Sequence, residues 1–190
     1  STGLSNYNEI EDMVKFIKNE NPYYHKKENI CILQCTSMYP IDNSEANVSI
    51  MNTFKKFDVE IGYSDHTIGC EALYIAALKG ASILEFHFTD NKNDSTFRDH
   101  QISLDYKDVI NLKNKISEAN KILGSSIKTP TKSEINSGHI NSFRRGIYAS
   151  RPISKGKKIS MDDLVFLRPE LTLDHSAKNF QKLIGSVTEE

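Results

Sequence analysis

Through the first 124 residues of this 190-residue chain, helical periodicity and short continuous apolar runs take turns, and that rhythm leaves few folds open. Ile10, Met13, Val14 and Ile17 fall at i, i+3, i+4 and i+7, and Asn6 with Glu9 three residues on makes a capping-box pattern. A helix is therefore predicted there, stopping near Asn21 ahead of Pro22. Residues 30–37 read as a buried strand, and after the Tyr39-Pro40 turn a helix is expected around 48–57. Residues 59–64 form the second predicted strand, followed by a helix over 70–78 that Lys79-Gly80 ends, and residues 81–88 form the third. Val109, Leu112, Ile116, Ala119 and Leu123 mark a last long helix, closed by Gly124.

Such alternation, with nearly continuous apolar strands and short connections, implies βα units and a parallel sheet covered by helices. Three parallel strands alone leave two raw edges, and Ser1-Thr2-Gly3 reads as the exit of a preceding strand. The expectation is an α/β chain whose residues 1–124 form the C-terminal half of a TIM (β/α)8 barrel, cut near the end of strand five. A small complete three-layer α/β domain is the other architecture this periodicity permits. Residues 125–142 shift to Ser, Lys, Thr, Pro, Asn and Gly, the profile of a linker. A second module follows over 143–190, with strands at 146–149 and 163–167, a turn at Lys155-Gly156-Lys157 and a helix at 177–184 ending on Gly185. It is too short to bury much surface independently and is expected to dock on something larger.

Composition removes partners rather than adding them. Twenty-four basic against 25 acidic residues leave a net charge of -1, so no global field recruits nucleic acid or an anionic membrane. No apolar run approaches the roughly 20 residues of a membrane span, and Ser1 opens no signal series. Three cysteines, Cys31, Cys35 and Cys70, are odd in number and too sparse for a disulfide framework, which points to a reducing, cytoplasmic setting.

In parallel α/β folds the chemistry sits at the carboxyl ends of strands. There the chain places Thr36-Ser-Met-Tyr-Pro40, Gly62-Tyr-Ser-Asp-His-Thr67 and Glu85-Phe-His-Phe-Thr-Asp90. His66 and His87 thus emerge from consecutive strands, about 4.8 Å apart in a sheet, within reach of one ion. Two imidazoles would leave coordination positions for water and substrate oxygens, which favours Lewis-acid catalysis over a structural role. The other reading makes each a hydrogen-bonded residue at the barrel mouth, without metal. Glu85 shares a strand face with His87, and a carboxylate facing a barrel interior is costly unless paired. Asp99, in the polar loop Thr96-Phe-Arg-Asp-His100, either completes a metal shell, holds a substrate hydroxyl or is a solvated loop acid. Cys31 and Cys35 read as buried strand residues and Arg144-Arg145 as exposed surface.

These pieces resemble the sialic acid synthases and their relatives for legionaminic, pseudaminic and spore-coat sugars. The resemblance runs over nearly the whole chain. It rests on Ser1-Thr-Gly3, Cys35-Thr-Ser-Met-Tyr-Pro40, Gly62-Tyr-Ser-Asp-His-Thr67, Glu85-Phe-His-Phe-Thr-Asp90, Arg98-Asp-His100, Leu123-Gly124 and Lys128-x-Pro130-Thr131-x-Ser-Glu134. Arg144-Arg145, Ile153-Ser-Lys-Gly156, Leu167-Arg-Pro169 and Leu183-Ile-Gly185 look like the family's small antifreeze-like (SAF) domain.

The resemblance implies a barrel that condenses phosphoenolpyruvate with an N-acyl mannosamine-type sugar to a nine-carbon 2-keto acid and phosphate. It implies that His66 and His87 hold a divalent ion, manganese first, with magnesium or cobalt as other candidates. Ser1, Ser37, Tyr39 and Ser64 would hold substrate, and Glu85 and Asp99 are the catalytic candidates. Arg168 matches an arginine that the small domain donates to the partner subunit's sugar site in a domain-swapped homodimer. Ser37 stands where several members have Asn, Phe86 where a basic residue is common, and Glu170 where Gly usually follows the Arg-Pro pair. The family's first half, with its phosphate-binding lysines and serine, has no counterpart in these residues, so the chain by itself is not expected to run the full reaction. The remaining alternatives are a truncated, non-catalytic binding remnant and another phosphoenolpyruvate-using 3-deoxy sugar acid synthase.

Overall fold

The structure, a computed structural model, describes residues 1–92, 97–168 and 176–189. Thr96, Pro169 and Glu170 of the motifs above lie outside the described residues. The chain divides into two compact units, Ser1–Gly124 and Ser125–Glu190.

In the first unit, helix α1 (Tyr7–Glu20) begins at the predicted capping box. The Asn6 side chain accepts from the N–H groups of Asn8 and Glu9, while Glu9 accepts from the Asn6 N–H. Strands β1 (Cys31–Cys35), β2 (Glu60–Ser64) and β3 (Ile83–Glu85) make one sheet in the order β1-β2-β3, parallel throughout. Between β1 and β2 the predicted helix forms as one helical passage. Its α-helical centre, α2 (Met51–Phe54), is flanked by tighter 3₁₀ turns at Val48–Ile50 and Lys55–Phe57. Helices α3 (Glu71–Leu78) and α4 (Tyr106–Leu123) follow β2 and β3, and Asp105 and Asp108 give α4 a capping box of its own.

Alternation in the strands separates two faces. Ile32, Ile61 and Tyr63, with Leu84 and Phe86, join Ile10, Val14, Met51, Phe54, Leu73 and Leu112 in the core beneath the helices. Phe86 therefore packs on the helix side of the sheet rather than toward a site beside His87. Cys35, Ser64 and Glu85 lie side by side in register on the other face. There Gly62 is crossed closely by its neighbours: a Cβ would stand 2.7 Å from the Ile83 carbonyl oxygen and 2.9 Å from Leu33 Cγ. Gly62→Ala is accordingly expected to cost about 1–3 kcal/mol of overpacking, read as a lower urea midpoint with an unchanged m-value.

One local result differs from the periodicity. The third strand was expected over 81–88, but its ladder with β2 ends at Glu85, because β2 stops opposite it at Ser64. Beyond that point the chain changes partner: the Leu104 N–H donates to the His87 carbonyl and the Thr89 N–H to the Leu104 carbonyl. At the opposite edge of the sheet, Thr2 donates both its N–H and its hydroxyl to the Leu33 carbonyl, at 3.0 and 2.8 Å, so residues 1–3 lie along β1.

The second unit begins within the stretch whose composition reads as a linker, yet two short helices form there, α5 (Lys132–Asn136) and α6 (His139–Ser142). Thr131 and Glu134 make a capping box for α5. Strands β4 (Gly146–Ala149) and β5 (Leu164–Leu167) pair antiparallel, and after a 3₁₀ turn at Ala177–Asn179 the short helix α7 (Phe180–Leu183) leads into Gly185.

Candidate active site

The carboxyl ends of β1, β2 and β3 bring three rings together. The imidazoles of His66 and His87 have centroids 5.4 Å apart, and the Tyr39 ring lies 4.0 Å from the first and 5.7 Å from the second. His66 Nδ1 is 2.7 Å from the Thr36 carbonyl oxygen. A carbonyl oxygen only accepts, so Nδ1 carries a proton, and a neutral ring would present its lone pair at Nε2. A metal-ligating histidine is typically held in this way by a backbone carbonyl on its other nitrogen. The loop after β1 grips the same residue again, since the Ile41 N–H donates to the His66 carbonyl at 3.0 Å. His87 is more open, its side chain about 33% exposed, and its Nδ1 stands 3.9 Å from an Asp99 carboxylate oxygen.

Beside the rings, the Ser64 hydroxyl donates to Glu85 Oε1 at 2.7 Å. The Ser64 hydroxyl thereby satisfies one oxygen of Glu85, on the sheet face opposite the helices. Ser64, Asp65, His66 and Thr67 are all buried, four polar residues in succession. Asp65 accepts from the Thr67 N–H at 2.9 Å, the Thr67 hydroxyl at 3.0 Å and the Tyr63 hydroxyl at 3.1 Å. Burial pushes its carboxyl above the usual range, against the opposing pull of those hydrogen bonds. Burial, and then the neighbouring Asp65 charge, push the Tyr63 phenol up as well. Asp65 went unnoticed in the sequence, although Asp with a hydroxyl residue two positions on is the signature of an Asx turn.

The other expected site residues are more dispersed. Ser37 is exposed at the end of the β1 loop and presses on Gly3, where a Cβ would meet its Oγ at 1.9 Å. Ser1 lines a groove with Cys31 and Ile32, toward the amino end of β1 and away from the rings. Arg168 belongs to the second unit, where its guanidinium lies 5.0 Å from the Phe143 ring centroid. Cys35 is buried with its sulfur 3.9 Å from His66 Nδ1, and Cys31 is half-buried; both are free thiols. Among the described residues no group of three or more His, Cys, Asp or Glu is placed to hold a metal ion. Two imidazoles with open positions for oxygen ligands are thus the donor set on offer, and they fit a labile first-row divalent ion.

Residues 1–128 match the family model described as the NeuB family. The chain belongs to the NeuB family. Residues 144–189 match the SAF domain. The N,N'-diacetyllegionaminic acid synthase of Campylobacter jejuni is 34% identical over 188 residues, covering 98% of this chain and 54% of that protein. The human N-acetylneuraminate-9-phosphate synthase is 29% identical over 168 residues, 86% of this chain and 44% of the relative. Among solved structures, the sialic acid synthetase of Leptospira borgpetersenii, in complex with citrate, aligns with a TM-score of 0.61 at 32% identity over 73% of this chain and 46% of that one. The spore coat polysaccharide biosynthesis protein of Bacillus subtilis aligns with a TM-score of 0.54 at 28% identity over 96% and 53%.

The chain spans about half the length of the curated relatives it matches. Its βα units are those of a TIM-barrel-type NeuB chain followed by a SAF domain, as the rhythm and motifs led one to expect, and the complete three-layer alternative is set aside. No helix among the described residues is long and apolar enough to cross a membrane.

Proposed function

We propose that the protein is a sialic-acid-type synthase that condenses phosphoenolpyruvate with an N-acyl mannosamine-type sugar. A carbon–carbon bond forms between C3 of phosphoenolpyruvate and the sugar's aldehyde carbon. Water then adds at C2 and phosphate leaves by C–O cleavage, giving a nine-carbon 2-keto acid. The observation that carries this reading is the meeting of His66, His87 and Tyr39 at the carboxyl ends of the NeuB strands.

His66 and His87 are the residues that would hold a divalent ion, manganese first. When bound, that ion supplies Lewis acidity to the aldehyde oxygen. Tyr39 packs its ring on His66 and closes that side of the pocket to water. Ser64 directs its hydroxyl to Glu85, which leaves the second carboxylate oxygen of Glu85 for a substrate hydroxyl. Asp99 stands beside His87 on the side where the sugar approaches. Ser37 contacts phosphoenolpyruvate, Ser1, away from the rings, is left without a substrate contact in this reading, and Arg168 reaches the sugar of a partner subunit in a domain-swapped homodimer working in the cytoplasm. The domain division that serves this reading is barrel residues 1–124, linker 125–142 and SAF domain 143–190.

Incubating the intact gene product with phosphoenolpyruvate, manganese and a panel of N-acyl hexosamines and a pentose phosphate is expected to release phosphate and, by mass spectrometry, a nine-carbon 2-keto acid in equal amounts, whereas residues 1–190 by themselves are expected to release neither. Product formed only from a pentose phosphate would reassign the protein to the 3-deoxy sugar acid synthases. Absence of any keto acid across the panel would leave the binding-remnant reading in its place.

A further inference from the structure

The stretch Ser64–Thr67 sets a physical problem. Each residue is polar, each is at most 5% exposed, and a buried polar group left without a partner costs about 1–3 kcal/mol. The sheet does little for them: the β2 ladder ends at Ser64, and only the Asp65 N–H, donating to the Glu85 carbonyl, continues it. Yet His66 must arrive at one place, with Nδ1 on the Thr36 carbonyl and its ring centre 5.4 Å from that of His87.

We propose that Asp65 is the positioning residue that sets His66. Its Oδ1 takes the Tyr63 hydroxyl and the Thr67 N–H, and its Oδ2 takes the Thr67 hydroxyl. Tyr63 is wholly buried in the core, so Asp65 pins the turn to a side chain that does not move. The backbone is therefore locked immediately before and immediately after His66. The loop after β1 supplies the opposing half of the clamp through the Thr36 carbonyl and the Ile41 N–H. Without Asp65, Thr67 swings, the His66 backbone turns with it, and the 2.7 Å bond that decides the imidazole tautomer is lost. Asp65 has no role here as an acid or base; it acts through geometry.

The inference deepens the reading of His66 as a metal ligand and rests on it for one of two readouts. In metal-free, nitrogen-15-labelled protein, long-range proton–nitrogen correlation spectra report the His66 tautomer. Titration with manganese, followed by the paramagnetic resonance of the free ion, reports affinity. The native chain is expected to show a single Nδ1–H form. Asp65→Ala is expected to mix the tautomers and to weaken manganese binding about 10-fold or more. Asp65→Asn keeps Oδ1 as acceptor for Tyr63 and the Thr67 N–H, and its amide can donate to the Thr67 hydroxyl, so it should restore the native tautomer and hold affinity within about threefold. Thr67→Val, which removes one of the three bonds, falls between them and decides the matter with Asp65→Asn if the alanine variant does not fold. An unchanged tautomer in Asp65→Ala, or Asp65→Asn as impaired as alanine, would overturn the proposal. If the native chain binds no manganese, the metal reading of His66 fails, and the tautomer comparison still decides the part played by Asp65.

Discussion

Asp163→Ala is expected to unfold the second unit while the parallel sheet of the first keeps its own transition. Asp163 is fully buried, and its two oxygens collect three separated parts of the chain. Oδ1 accepts from Lys157 Nζ at 2.5 Å and from Arg151 at 2.8 and 3.1 Å; Oδ2 accepts from the Ser160 hydroxyl at 2.8 Å and the Ser160 N–H at 3.1 Å. Its carbonyl also takes the Ser150 N–H at 2.8 Å, beside the exit of β4. In a unit of this size, with Ile147 as a buried aliphatic, one carboxylate thus replaces much of what a larger core would do. The alanine variant is expected to melt roughly 10 °C or more below the native unit. The measurement is loss of dispersed amide resonances from residues 146–167 on warming, with those of residues 31–64 persisting.

The same contacts fix the pH dependence. Lys157 first, then Arg151 and Ser160, hold the Asp163 carboxyl well below the ordinary carboxylate range. A group whose folded value is lowered contributes stability that is fully present above its unfolded value and lost as pH falls toward the folded one. The second unit should therefore begin to lose stability below about pH 4, where the unfolded carboxyl takes up its proton. Asp163→Asn removes this slope. An acid transition in the second unit that is identical in native and Asn forms would show that another carboxylate governs it.

Asp163 also shows where pattern reading stops. Its position next to Leu164, Val165 and Phe166 made it look like the first residue of a strand, yet the ladder begins at Leu164. A carboxylate that closes a capping box on Ser160 belongs to the turn before the strand, and that partner is settled only once β4 and β5 pair. The βα rhythm of the first unit was legible because hydrophobic period reports burial directly, and Asn6 with Glu9 was legible because both halves of a capping box lie within four residues. The pairing of His66 with His87 was legible for a similar reason, since consecutive parallel strands in a βα fold end side by side. What composition hid was α5: a stretch rich in Ser, Thr and Pro looks like a linker until Thr131 and Glu134 are read as a cap. What periodicity hid was the end of β3, where the partner changes from β2 to Leu104 without any change in the apolar pattern.

In the intact gene product, His66→Ala is expected to reduce the condensation rate by about a thousandfold or more, the loss that follows when several kcal/mol of electrophilic stabilisation leave the transition state. The structure gives reason to separate this from mere damage. Removing the imidazole also takes from the Thr36 carbonyl one of its two donors, the other being the Met38 N–H, and from the Tyr39 ring the nearer of two imidazoles, so part of any loss belongs to packing. Chelation distinguishes the two contributions. If His66 acts through an ion, treating the native protein with a strong chelator should bring it down to the rate of the variant, and treating the variant should cost it almost nothing more, because the two operations remove the same interaction. His87→Ala should behave alike, and the double variant should be no worse than either single one. Phosphate release measured with and without chelator across native, His66→Ala, His87→Ala and the pair is sufficient. A His66→Ala protein that keeps a large chelator-sensitive rate would place the ion elsewhere, and additive losses in the double variant would mean that the two histidines, though 5.4 Å apart between ring centres, serve different steps.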